Sequence, residues 1–145
     1  MKITIMDRAD GEDDEMIIRC RNIDKQLLNL IYAIKAGQET ILALRGSEYV
    51  QVATEDIYYF EAVDNKVFLY LDKEVYEEKH KLYELEEMFC GPDFFRASKS
   101  YIVNLKKVKS IRPAFNGRFE AHMKNGEKVM ISRQYVPVLK EKLGL

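Results

Sequence analysis

The sequence predicts an α+β fold in which antiparallel β-sheet dominates, and three observations lead there. Between residues 40 and 132 apolar positions recur with a period of two, in short segments rich in Val, Ile, Tyr and Phe. Turn-forming pairs built from Gly, Asn, Asp and Ser separate those segments. Only three stretches show helical spacing instead, at residues 24–37, 81–89 and 133–145.

The elements follow in chain order. In KITIM, Ile3 and Ile5 alternate with polar neighbours, and Met16, Ile17 and Ile18 form a second apolar run, so two short strands are expected. Asp24 stands at an N-cap position ahead of Leu27, Leu28, Leu30, Ile31 and Ile34, and Gly37 supplies the left-handed residue that ends the helix. Its apolar stripe needs a partner surface, either the rest of this chain or a second copy. Residues 1–39 thus read as a small N-terminal strand-strand-helix unit, and residues 40–145 as the main domain.

TILALR, EYVQV, DIYYFEAV, KVFLYL and EVYEEK come next as strands, with Gly46-Ser47 and Asp64-Asn65 as tight turns. KLYELEEMF places Leu82, Leu85, Met88 and Phe89 on one side of a short helix that stops at Gly91-Pro92. SYIVN, VKSIRPAF, GRFEAHM and KVMIS resume the strands, joined in part through Asn116-Gly117 and Asn125-Gly126. Ser132 then caps a closing helix with Val136, Leu139 and Leu143 on its apolar side, and Pro137 belongs in its first turn.

Composition and charge narrow the function. Hydrophobic residues at 47% and aromatics at 11% are those of a folded globule rather than a disordered chain. No apolar run is long enough to span a bilayer and the N-terminus lacks the apolar core of a signal peptide, so a soluble cytoplasmic chain is expected. Cys20 and Cys90 are isolated and read as buried thiols. His80 and His122 cannot be placed beside a nucleophile with an orienting carboxylate, and no phosphate-cradling glycine motif is present; the chain does not read as an enzyme.

The formal net charge of -1 is a cancellation. Residues 7–15, DRADGEDDE, carry six carboxylates, whereas residues 94–119 hold seven Lys or Arg and no acid. A solvated loop is the reading of the acidic stretch, which lacks EF-hand spacing. A basic face attracts polyanions, and in FRASKSYIVN the residues Arg96, Ser98, Lys99 and Ser100 offer cations and short hydroxyls together at a strand start. No helix-turn-helix pair is present, so loops and strand ends must make any DNA contact. The aromatics Tyr101, Phe115 and Phe119 fall at core-like alternating positions and read as packing residues.

The ordered blocks DIYYFEAVDNKVFLYL, KLYELEEMF, FFRASKSYIVNLKKVKSI and NGEKVMISRQYVPVLKEKL resemble the LytTR family of bacterial DNA-binding domains, across residues 40–145. The resemblance implies an elongated β domain whose loops, not a recognition helix, enter the grooves of double-stranded DNA. Carried over by position, Asn65 and Lys66 occupy one contacting turn; Arg96, Ser98, Lys99 and Ser100 a second; Ser132, Arg133 and Gln134 a third, where free N–H groups also receive phosphate. Asn104 matches the family's IVN, though a turn-forming role explains it equally well. No cofactor or metal is implied. The segment before residue 40 is too short for the receiver domain that often precedes this one. A stand-alone transcription regulator is therefore expected, acting as a homodimer on paired sites, with a membrane-bound regulatory protein as a further partner. The competing reading is a protein-interaction module whose basic face binds an acidic partner; RNA binding is a third.

Overall fold

The computed structural model describes residues 2–35, 40–89 and 91–145. Helix α1 spans Lys25–Lys35, and strands β1 (Thr40–Arg45), β2 (Glu48–Ala53), β3 (Tyr59–Val63), β4 (Lys66–Tyr70) and β5 (Val75–Glu78) follow. After α2 (Leu82–Met88) come β6 (Phe94–Arg96), β7 (Tyr101–Asn104), β8 (Val108–Pro113), β9 (Phe119–Met123), β10 (Lys128–Ile131) and α3 (Val136–Leu143). Every strand pairing among the described residues is antiparallel. A seven-stranded sheet in the order β2-β1-β5-β4-β3-β7-β6 stands beside a three-stranded sheet, β10-β9-β8.

Period two in the sequence becomes two cores in the molecule, because successive side chains of a strand point to opposite faces. Phe60 and Ile102 join Ile41, Val67 and Leu69 under Leu82 and Leu85 of α2 and Phe89 just beyond it. Their neighbours Tyr59 and Val103 turn the other way, onto Ala121, Met123, Val129 and Ile131 of the small sheet and Val136 and Leu139 of α3. The middle of the large sheet is thus covered on both faces. Burying a side chain such as Phe60 or Leu85 completely contributes about 1.5 to 3 kcal/mol relative to leaving it in water.

The N-terminal segment departs from expectation. Asp24 does cap α1, its Oδ1 accepting the Leu27 N–H at 2.8 Å. The two strands expected around Ile3 and Met16 do not form; residues 2–24 have no strand and are exposed. An isolated pair of strands with no third strand or covering helix has too little apolar surface to hide. Arg8 instead gathers the acidic loop, pairing with Asp14 at 2.7 Å and donating to the Glu12 carbonyl at 2.6 Å. Cys20 is exposed rather than buried, within a segment, residues 2–24, that is exposed throughout. Gly37 and Cys90 lie outside the described residues. Helix α1 lies against α2, yet Leu28, Leu30 and Ile34 stay 39 to 45% exposed.

Two further differences concern the main domain. Phe94–Arg96 is a strand, too short for its periodicity to register, paired with β7 through Phe95↔Val103. Ser132 does not cap the closing helix with its side chain, and the chain passes through a 3₁₀ turn, Arg133–Tyr135, before α3. Pro137 does sit in the first turn of α3.

Candidate nucleic-acid interface

Strand direction brings the first two turns together. β3 ends at Val63, beside the start of β7, because Glu61 pairs with Tyr101 and the Ala62 N–H donates to the Ser100 carbonyl at 2.8 Å. The β3–β4 turn, closed by Val63↔Lys66, therefore projects from the same end of the sheet as residues 97–100. Asp64 and Asn65 adopt φ of 49° and 65°, the left-handed pair that a two-residue hairpin turn needs and that Asp and Asn tolerate. Asn65 and Lys66 are exposed, and the Lys81 ammonium donates to the Asn65 carbonyl at 3.3 Å, adding a cation that no local motif marks.

The second turn is built around Arg96. Its Nε donates to the Ser98 carbonyl at 2.6 Å, its Nη2 to the Lys99 carbonyl at 2.8 Å and its Nη1 to Glu86 Oε2 at 2.7 Å. All three guanidinium nitrogens are thus engaged within the chain, in a half-buried setting. Arg96 shapes the loop and neutralises the carboxylate of α2 that lies closest to it. The Ser98 hydroxyl accepts the Ser100 N–H at 3.1 Å, which leaves Lys99 as the exposed tip.

The third turn is fastened to the second. The Ser132 N–H and its hydroxyl both donate to the Ala97 carbonyl, at 2.9 and 3.3 Å. Ser132 is thereby a joint between the two sheets, not a free phosphate ligand. Arg133 and Gln134 follow directly and are exposed. The Arg133 stem crosses the β8–β9 hairpin, where its Cδ and Cγ lie 3.0 and 3.2 Å from the place a Cβ on Gly117 would occupy.

Asn104 does not belong to this surface. It is 1% exposed at the far end of β7, its Nδ2 donating to the Ile57 carbonyl at 2.9 Å and its Oδ1 accepting the Lys106 N–H at 3.0 Å. The turn-forming role is the one the structure displays. Phe115 is corrected in the opposite sense: it is 86% exposed on the β8–β9 hairpin, whereas Tyr101 and Phe119 are half-buried against the second core.

Of the seven cations between residues 94 and 119, three are occupied: Arg96 by Glu86, Lys106 by Asp93 at 3.4 Å, and Lys107 over the Tyr58 ring at 5.4 Å. Lys99, Lys109, Arg112 and Arg118 have no ion-pair partner among the described residues. His80 is used within the chain, its Nδ1 2.6 Å from Oε1 of the buried Glu78, and His122 Nε2 faces Glu120 Oε1 at 2.6 Å. No cluster of His, Cys, Asp and Glu suited to a metal ion occurs among the described residues. Nor is any described helix long and apolar enough to cross a membrane.

Comparison with known proteins agrees with this architecture. A sensory transduction protein LytT of Enterococcus faecalis is 32% identical over 114 residues, covering 78% of this chain and 47% of its own length. A transcriptional regulatory protein YpdB of Escherichia coli K12 is 29% identical over 108 residues, covering 74% of this chain and 44% of its own. The chain thus spans about half the length of the curated relatives it matches. A solved LytTr DNA-binding domain from a Bacillus cereus response regulator superposes with a TM-score of 0.71 at 28% identity, over 75% of this chain and all of that one. The model of the LytTr DNA-binding domain matches residues 47–144, and the chain belongs to that family.

Proposed function

We propose that this chain is a bacterial transcription regulator that binds double-stranded DNA sequence-specifically, through turns of its β domain rather than through a helix laid in the groove. The observation that carries the reading is the convergence of three turns at one end of the molecule, fastened by the two bonds from Ser132 to the Ala97 carbonyl. Asn65, Lys66, Lys99, Arg133 and Gln134 present exposed donors there. Ser98 and Ser100 add short polar groups, and Arg96 acts by holding the loop that carries Lys99. Lys66, whose ammonium lies 4.0 Å from Glu77, and Lys99 and Arg133, unpaired among the described residues, serve phosphate oxygens or guanine edges, and the amides reach adenine or backbone.

Helix α1 and an acidic segment lie directly ahead of the domain. The exposed Leu28, Leu30 and Ile34 of α1 support a homodimer, which would place two such ends on paired or repeated sites. The cytoplasm, where bacterial DNA is reached directly, is the compartment this reading implies, and a membrane-bound regulatory protein acting on the N-terminal segment remains part of the proposal.

Lys99→Ala and Arg133→Ala test it in a gel-shift titration, with circular dichroism confirming the fold. Each is expected to weaken binding by about 1 to 3 kcal/mol. Unchanged affinity in the folded double variant refutes the site. The rival reading, a basic face for an acidic protein, predicts self-association or partner binding without the log-linear loss of affinity with salt that phosphate contacts impose.

A further inference from the structure

We infer that Phe115 is a DNA-contacting side chain, one that meets the apolar surface of the bases while Arg118 and Arg133 hold phosphates on either side of it. The inference rests on the reading above and adds to it a contact of different chemistry. Phe115 is 86% exposed, in a chain that half-buries or buries Phe119, Phe95 and Phe60. Leaving a phenyl ring in water forgoes the largest favourable term available to it, so a ring held out of the core is positioned for an external surface.

Its mounting is stiff. Asn116 and Gly117 adopt φ of 61° and 74°, the Ala114 N–H donates to the Arg118 carbonyl at 2.8 Å, and the Arg118 N–H donates to the Phe115 carbonyl at 3.4 Å. The ring thus stands on a closed hairpin turn, and ordering it on a ligand costs little entropy. Location supplies the second observation. The Arg133 stem lies across Gly117, two residues from the ring, so the hairpin tip adjoins the third turn of the proposed interface. The guanidinium groups of Arg118 and Arg133 have no intramolecular partner among the described residues, and residues 94–119 contain no acid.

The surface to be matched is therefore an apolar centre with a cationic rim. A duplex groove is its complement, with phosphates along the edges and thymine methyl groups and base faces between them. A protein surface would need an apolar floor ringed by carboxylates; the exposed Met6, Met16 and Ile17 that flank the acidic loop of a second copy are the rival to the duplex, and the sedimentation outcome below separates the two.

The test uses the full chain and a duplex recovered by the wild type from genomic fragments. Phe115→Ala is expected to raise Kd about tenfold, within the range found for aromatic contacts to bases, while Phe115→Leu retains most of the affinity. The slope of log affinity against log salt should stay at its wild-type value in Phe115→Ala and fall by about one in Arg133→Ala, because only the latter removes a phosphate contact. Two arms separate the sources of the apolar surface. Replacing thymine by deoxyuridine abolishes the difference between wild type and Phe115→Ala if the ring meets a methyl group. A fluorescence rise from 2-aminopurine in the wild-type complex alone marks insertion between bases. Equal affinity of wild type and Phe115→Ala overturns the inference, as does a loss of self-association in sedimentation with DNA binding intact. Failure of the wild-type chain to retain any duplex would instead overturn the DNA-binding reading itself.

Discussion

Arg96 and Asn104 both look like nucleic-acid ligands in the sequence, and the structure uses both as scaffolding. Asn104 satisfies a buried carbonyl at Ile57 and an N–H at Lys106. Truncating it leaves both without partners inside the fold. Asn104→Ala is expected to lower unfolding free energy by about 1 to 3 kcal/mol in urea denaturation, with the DNA affinity of the folded protein unchanged. Arg96→Gln should act on binding at a distance: with the guanidinium gone, the Ser98 and Lys99 carbonyls lose their donors and the Glu86 carboxylate is left without its counter-ion beside the proposed DNA-binding end. Faster amide exchange at Ser100, alongside weaker binding, would register that loosening; a protected amide would argue against it. The local sequence announces a cluster of Ser, Lys and Arg. It cannot announce that the arginine turns inward, since that depends on Glu86, ten residues away on another element.

Among the elements, turns were the most legible. Asp64-Asn65 and Asn116-Gly117 take the positive φ that their chemistry permits, and the capped α1 begins where Asp24 places it. Gly117 has a second reason to be glycine: any Cβ there would press on Arg133. Gly117→Ala is expected to cost about 1 kcal/mol or more of stability and to displace Arg133, lowering DNA affinity as well. Thermal melting and the gel-shift titration check the two parts. Less legible were elements whose existence depends on contacts. Ile3 and Ile5, which alternate like a strand, and the apolar run at Met16 find no sheet to join, whereas Phe94–Arg96, with three residues, becomes a strand because β7 lies ready beside it. Since residues 2–22 are exposed, their removal should leave the unfolding free energy of the domain within about 0.5 kcal/mol of the intact chain.

At the scale of the whole molecule, the junction between the sheets carries a tyrosine cluster. Tyr59 and Tyr70 stack at 4.4 Å, Tyr101 tilts against Tyr59 at 5.7 Å, and the Tyr59 hydroxyl donates to Glu127 at 2.7 Å. Burial first, and the Glu61 carboxylate second, push the Tyr70 hydroxyl up from 10.0 to about 12, and Tyr59 is raised further, by burial and then by Glu127. The unfolded chain therefore loses these protons before the folded one does. Stability from the neutral rings is whole below pH 10 and declines as pH climbs towards the folded value near 12. Tyr70→Phe should lessen the alkaline loss of stability, read by urea denaturation across that window; an identical decline in the variant would assign it elsewhere. That both faces are covered where β3 begins is legible in the unbroken apolar run Ile57 to Phe60, but the strand order and the division of those faces between α2 and the small sheet are not, because an apolar run does not say what buries it. The tips that point away from those cores have a consequence for how such regulators diversify. On the DNA-binding reading proposed above, one copy left by gene duplication can exchange the exposed tip residues and acquire new targets, while the two cores are inherited intact.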